Sequence, residues 1–137
     1  MNISEVAAKF HMTPATIRYY EKQGLLPPIT RNELGIRDFQ EEDIKWVEFI
    51  KYMRDSGLSI ESLAQYSTLY QQGDATLLER KEILIQEHEK LVEKQKLIHA
   101  TIARLEQKLD NYDHMIQVCE PQFSRNHKIF GIDRVTR

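Results

Sequence analysis

The chain has 137 residues, 41% of them hydrophobic and 29% charged, with a formal net charge of −2. This length and composition are typical of one globular domain or two small ones. No apolar run approaches the roughly 20 residues that a membrane span needs, and the N-terminal stretch MNISEVAAKF lacks the apolar core of a signal peptide. The single cysteine, Cys119, excludes an intramolecular disulfide. We therefore expect a cytoplasmic protein without a membrane partner.

Two short helices are predicted at the start of the chain. Ser4 is expected to cap the first one. Thr13 is a favourable N-cap for the second, and Pro14 suits its first turn because the missing N–H has no partner there anyway. Gly24 and the two prolines that follow at 27 and 28 should stop this helix sharply. Two short helices joined by a tight turn form a helix-turn-helix pattern.

A hairpin and two further helices are predicted next. Residues 29–39, ITRNELGIRDF, combine β-formers with turn-forming Asn and Gly. Apolar residues at helical spacing predict a third helix over about 41–56, stopped by Gly57. Ser59 is expected to cap a fourth helix. A polar break follows at 71–74.

A heptad pattern dominates the second half of the chain. Apolar residues recur every seven positions, which predicts a coiled-coil seam over roughly 40 residues, or about 60 Å of helix. Because the chain offers no second long helix to cover this stripe, we expect a homodimer. The spacing alone leaves the orientation of the two helices open. The predicted dimerisation residues are Leu84, Leu91, Ile98, Ile102, Leu105, Leu109 and Tyr112.

Cations gather around the second helix and the hairpin, although the whole chain is slightly acidic. Arg18 and Tyr19 are expected on the outer face of the second helix, where they could meet DNA bases or phosphates. An ordinary surface cation and a half-packed ring are the alternative. Arg31 and Arg37 flank the hairpin turn and could grip a DNA backbone, with a solvated loop as the alternative.

Residues 2–70 resemble the DNA-binding domain of the MerR family of bacterial transcription regulators. The resemblance rests on ISEVAAKF, TIRYYEKQGLLPP, the R-x-x-x-G-x-R hairpin and FIKYMRDSGLSIESL. It implies a mainly α fold, with a winged helix-turn-helix domain at 1–70, a long antiparallel dimerisation coiled coil at 75–118 and a short tail at 119–137.

The resemblance also implies roles for individual residues. Ile36 stands where family members usually have Tyr after the wing glycine, and Phe39 keeps an aromatic ring without its hydroxyl. The residues implied to contact DNA are Thr16, Arg18 and Tyr19 on the recognition helix, Tyr20 beside the backbone, Arg31 and Arg37 on the wing, and Arg54.

The resemblance implies a dimer that binds a palindromic promoter site in double-stranded DNA and distorts it, so that RNA polymerase engages both promoter elements. An unknown small-molecule inducer could control it. An architectural or excisionase-like winged-helix DNA binder without an effector is the alternative. An enzyme is not expected, because the sequence has no phosphate-binding Gly-rich loop and no H-x-x-x-H motif.

No metal and no cofactor are expected. Metal-sensing relatives place a cysteine near the start of the dimerisation helix, and residues 74–82 contain none. Cys119 and His127 form C-x7-H, which supplies only two ligands, so a lone thiol and a surface histidine are favoured. Trp46, Met53 and Tyr66 are expected in the core, with the lining of a small-molecule pocket as the alternative.

Overall fold

The computed structural model describes residues 1–119, and these are mainly helical as predicted. The stretch 120–137, with His127 and most of the expected tail, lies outside the described residues. The described residues form two compact units: the first is Met1–Leu91, and the second begins at Val92. In chain order the elements are α1 (Ile3–Lys9), α2 (Pro14–Lys22), α3 (Glu41–Asp55), α4 (Ile60–Gln71), a short 3-10 helix (Asp74–Thr76) and α5 (Leu77–Cys119).

The helix caps follow the sequence signals in α2 and α4 but not in α1. Thr13 caps α2 with its side chain, Pro14 begins that helix, and Ser59 caps α4. The prediction that Ser4 caps α1 is wrong, because the helix begins at Ile3, two residues earlier than a cap at Ser4 implies, and Asn2 is the cap. Asn2 accepts a hydrogen bond from the Glu5 backbone N–H at 2.8 Å, and the Glu5 carboxylate accepts one from the Asn2 N–H at 2.9 Å. This reciprocal pair satisfies two free N–H groups at once, which a cap at Ser4 does not.

Glycines end both α2 and α3 with the same geometry. Gly24 has φ +81° and Gly57 has φ +94°, a left-handed conformation that costs glycine little. After Gly24, the Leu25 N–H donates to the Tyr20 carbonyl at 2.9 Å, and Leu25 is fully buried. This arrangement uses a carbonyl left free at the helix end and anchors the chain in the core before the wing begins.

The core of the first unit is built from one apolar face of each of the first four helices. Trp46 is 9% exposed, and Met53 and Tyr66 pack against the buried cluster, as the core prediction expected. Phe39, the last residue of the hairpin, is 2% exposed, and its burial anchors the end of that loop in the core. The buried apolar residues are Val6, Ala7, Phe10, Ile17, Leu25, Leu26, Ile29, Phe39, Trp46, Val47, Ile50, Leu58 and Leu63.

The junction between α4 and α5 is tied by side-chain contacts within the first unit. The Thr76 hydroxyl lies 2.6 Å from the Leu69 carbonyl and 2.8 Å from the Gly73 carbonyl. The Arg80 guanidinium lies over the Tyr70 ring at 5.3 Å from its centre, and Arg80 is only 9% exposed. These contacts hold the first turns of α5 against the end of α4.

The long helix α5 presents different surfaces in the two units. Leu91 packs against the core of the first unit, so it serves intramolecular packing as well as lying on the predicted seam. Further along, Ile98 and Leu105 are each 59% exposed, and Ile102 and Tyr112 are 51% and 53% exposed. A seam of large apolar side chains is therefore uncovered in the single chain. Among residues 1–119, no helix combines the length and apolar character needed to cross a lipid bilayer.

Candidate nucleic-acid interface

The outer face of α2 carries the two side chains that the sequence singled out. Ile17 is fully buried and fixes which side of α2 faces the core. Arg18 follows it and is exposed, and Tyr19 is 47% exposed. One helical face therefore presents a guanidinium and a phenol to solvent, and both groups can donate hydrogen bonds to DNA phosphates or base edges.

Thr16 and Tyr20 lie nearer to the protein than Arg18 does. The Thr16 hydroxyl is 2.8 Å from that of Thr13, and the Thr16 N–H donates to the Thr13 hydroxyl at 3.2 Å, so Thr16 belongs to the cap of α2. Tyr20 is partly buried and packs against the core, with its ring centre 6.1 Å from that of Tyr19. Packing of Tyr20 thus supports the more exposed ring of Tyr19.

The predicted hairpin is a tight loop, the wing (residues 29–39), held by a single antiparallel bridge between Arg31 and Arg37. The bridge is flanked by hydrogen bonds from Asn32 N–H to the Ile36 carbonyl at 2.8 Å and from Asp38 N–H to the Thr30 carbonyl at 2.7 Å. This pattern makes the two arginines a directly opposed, non-hydrogen-bonded pair, whose side chains leave the same face of the wing.

The tip of the wing is closed by the side chain of Asn32, as its turn-forming character predicted. Its Oδ1 accepts hydrogen bonds from the Leu34 N–H at 2.9 Å and the Ile36 N–H at 3.1 Å. Gly35 follows with φ +79°, and its carbonyl accepts a hydrogen bond from Arg31 Nη1 at 2.8 Å. The loop is therefore shaped largely by its own polar groups, while Ile36 remains 56% exposed.

Glu21 joins the wing to α2, and the sequence reasoning did not identify it as part of the site. Its Oε1 accepts a hydrogen bond from Arg37 Nε at 2.8 Å, and its Oε2 accepts one from the Ile29 N–H at 2.9 Å. The side chains of Arg37 and Glu21 are 23% and 16% exposed. The structure thus places one wing arginine beside α2. A periodicity argument misses this link because Glu21 and Arg37 are 16 positions apart.

Arg54 stands in the last turn of α3. Its Nη1 donates to the Leu58 carbonyl at 2.7 Å, across the turn between α3 and α4. Its Nε is buried and makes no hydrogen bond within the described residues. Arg54 thus has a structural role at this turn in addition to the DNA contact that the resemblance implies.

An open pocket of about 210 Å³ lies on the first unit beside the aromatic part of the core. The Trp46 and Tyr70 ring centres are 4.9 Å apart in an edge-to-face arrangement. The pocket is lined by Glu42, Lys45, Trp46, Phe49, Tyr66 and Tyr70. Within residues 1–119, no group of three or more His, Cys, Asp or Glu side chains could hold a metal ion, and Cys119 is exposed.

Comparison with known proteins identifies the family. The model for the MerR HTH family regulatory protein matches residues 1–68, and the model described as MerR, DNA binding matches residues 44–114. The transcriptional regulator AdhR of Bacillus subtilis is 57% identical over 93 residues, which cover 68% of this chain and 66% of AdhR. YyaN of the same organism, an HTH-type transcriptional regulator, is 32% identical over 123 residues that cover 89% of its length.

Solved structures agree with this assignment. A crystal structure of a MerR family transcriptional regulator from Listeria monocytogenes shares 42% identity, with a TM-score of 0.84 over 92% of this chain and 96% of that one. HiNmlR, described as a MerR family regulator lacking the sensor domain and bound to promoter DNA, shares 25% identity with a TM-score of 0.77 over 85% of this chain and 93% of that one. The chain therefore belongs to the MerR family of DNA-binding transcriptional regulators.

Proposed function

We propose that this regulator binds a palindromic promoter site as a homodimer, reads it with α2 and holds its backbone with the wing. The observation that carries this proposal is the joint placement of two features on one unit. Arg18 and Tyr19 are exposed on a helix whose inner face is fixed by Ile17, and a directly opposed pair of arginines lies on the wing that Glu21 joins to the same helix. A short helix beside a cationic loop matches the shape of a major groove and its flanking backbone.

Each site residue has a distinct part in this proposal. Arg18 contacts a base edge or a phosphate. Tyr19 contacts a phosphate, and Tyr20 supports the Tyr19 ring beside the DNA backbone. Thr16 lies in the first turn of α2, which is the part of a recognition helix that meets base edges. Arg31, Arg37 and Arg54 neutralise phosphates, which gives affinity without sequence information.

The dimer is proposed on the uncovered seam of α5. Four large apolar side chains of its second part, Ile98, Ile102, Leu105 and Tyr112, are each more than half exposed in the single chain. An apolar stripe of this kind is stabilised by a partner helix. We propose an antiparallel pairing of two copies, in line with the family resemblance. Two-fold symmetry then predicts an inverted repeat in the DNA.

The proposed mode of action is distortion of promoter DNA, so that RNA polymerase can engage both promoter elements. A protein that bends or untwists DNA gains specificity at base pairs it does not touch, because different sequences resist deformation differently. The likeness to HiNmlR, which is bound to promoter DNA, supports the choice of DNA target. The open aromatic pocket beside Trp46 is the proposed place for a small-molecule inducer. The place of action is the bacterial cytoplasm, on the nucleoid.

A footprint of the purified protein on genomic fragments selected by binding, at fixed salt, tests this proposal. We expect a protected inverted repeat between two promoter elements, with enhanced cleavage at its centre. Diffuse protection without symmetry would contradict the proposal and favour the architectural alternative.

The role of Arg18 is tested on the duplex recovered from that selection. Arg18→Ala should weaken binding by about 1–3 kcal/mol, the usual cost of losing one specific arginine contact, while leaving the dimer intact. Lys96→Ala is the matched control, because it removes one positive charge from an exposed position on α5. Wild-type affinity of the Arg18 variant would show that α2 does not read the DNA.

A further inference from the structure

We propose that Glu21 is a positioning residue for DNA recognition: it holds the wing in a fixed place against the recognition helix and aims Arg37 at the DNA backbone. This inference rests on the proposed function, because it assumes that the wing contacts DNA. It assigns a specific role to an acidic residue within a cationic surface, where simple electrostatics would place none.

The first observation is that both carboxylate oxygens of Glu21 are used by the wing. Oε1 binds Arg37 Nε at 2.8 Å, near the end of the wing. Oε2 binds the Ile29 N–H at 2.9 Å, at the beginning of the wing. One side chain on α2 therefore fixes both ends of the loop. Both bonds are charge-assisted and partly shielded from water, which makes them stronger than exposed ion pairs.

The second observation concerns the charge on the wing itself. Arg31 and Arg37 face each other across the bridge, and like charges in this arrangement repel. Each arginine donates to an intramolecular acceptor: Arg31 donates to the Gly35 carbonyl, and Arg37 donates to Glu21. Without Glu21, the charge of Arg37 would be uncompensated next to Arg31, and the bridge would be weakened.

Which nitrogen of Arg37 binds Glu21 matters for DNA binding. Glu21 accepts its hydrogen bond from Arg37 Nε, so this pair leaves Nη1 and Nη2 of Arg37 available for a further acceptor. These terminal nitrogens carry the remaining four N–H donors of the guanidinium, whose planar shape suits a phosphate. An arginine that is already held in one orientation loses less conformational freedom when it binds. Glu21 thus prepares Arg37 for a phosphate contact.

The sign of the effect separates this role from plain electrostatics. A carboxylate near DNA repels phosphates, so removing it should strengthen binding if charge were all that mattered. If Glu21 positions the wing, its removal should weaken binding to the specific site. Because the Arg37 contact is with a phosphate, binding to unrelated DNA should weaken as well.

The experiment compares Glu21→Gln and Glu21→Asp with the wild-type protein. Glutamine keeps the shape but turns an NH2 group towards one of the two donors, and aspartate keeps the charge but is one methylene shorter. Glu33→Gln is the matched control, because Glu33 is exposed at the wing tip and its loss changes the net charge equally. Binding is measured by fluorescence anisotropy, at fixed salt, on the duplex selected by footprinting and on a scrambled duplex of the same composition.

Both Glu21 variants should bind the selected duplex about tenfold more weakly. They should also bind the scrambled duplex more weakly, because a phosphate contact carries no sequence information. Glu33→Gln should bind the selected duplex at least as tightly as the wild type. In an Arg37→Ala background, Glu21→Gln should lose most of its effect, because the two residues act together. Helical circular dichroism and thermal unfolding verify that every variant is folded.

Two results would overturn the inference. One is wild-type or tighter binding of Glu21→Gln to the selected duplex. The other is an equal loss of affinity with and without Arg37. Arg18→Ala, measured on the same duplexes, separates these failures from a failure of the proposed function. If Arg18→Ala weakens specific binding and Glu21→Gln does not, the positioning role alone is wrong. If neither does, the whole interface is wrong.

Discussion

Pairing of two copies through the second part of α5 can be tested by placing charges on the seam. Ile98 and Leu105 are each 59% exposed in the single chain. Full burial of such a side chain contributes about 1.5–3 kcal/mol, so covering the exposed part contributes about 1–2 kcal/mol. Two positions in two copies give about 4–8 kcal/mol, so Ile98→Asp/Leu105→Asp should raise the dissociation constant of the dimer by at least roughly 10³-fold. The added carboxylates oppose pairing further.

Sedimentation equilibrium over a range of concentrations measures this change. Ala100→Asp/Gln107→Asp is the matched control, because both residues are exposed and lie off the seam on the same helix. It adds the same charge and the same poor helix former, and it should leave the dimer intact. Leu91 is avoided because it packs against the core of the first unit. An unchanged dissociation constant in the seam variant would refute the reasoning and place the interface elsewhere.

Two smaller predictions concern the helix stop and the cysteine. Gly24→Ala should lower the free energy of unfolding by about 1–2 kcal/mol, the cost of left-handed backbone in a residue with a Cβ. No steric cost is added, because no neighbouring atom lies within 4 Å of the new Cβ. Gly24→Asn should cost less, since asparagine tolerates this conformation, and equal stabilities of the two variants in urea unfolding would contradict this explanation. Cys119→Ser should leave Zn²⁺ affinity in a calorimetric titration unchanged, because two ligands do not make a tight site; tight binding that depends on the thiol would show that Cys119 is a ligand.

Local signals predicted much of the first unit. Thr13, Pro14 and Ser59 begin helices as their chemistry favours, and Gly24 ends α2. These features are determined by groups a few residues apart, so the sequence contains all the necessary information. The error at the first helix has the same origin: Ser4 and Asn2 are both good caps, and only Asn2 stands three residues before a glutamate that can return the hydrogen bond.

The wing shows where local reasoning ends. Turn formers predicted the loop, and its cationic residues suggested DNA, but they gave no partner for Arg37. The loop pairs at one bridge only, and its place depends on a carboxylate from α2. Sequence patterns therefore gave Glu21 no role, whereas its geometry in the fold makes it a link between two parts of the candidate site.

The sequence by itself determined the helical class, the order of the elements, the family motifs and the apolar repeat of α5, because these follow from spacing and from contacts within one or two turns. The tertiary structure decided which polar groups meet across long separations. It joined Glu21 to Arg37 and Ile29 by hydrogen bonds. It also bound Arg54 to the Leu58 carbonyl in the turn after α3 and packed Leu91 against the core. Such contacts depend on how helices and loops pack together, and the order of residues along the chain does not show which distant residues come close in space.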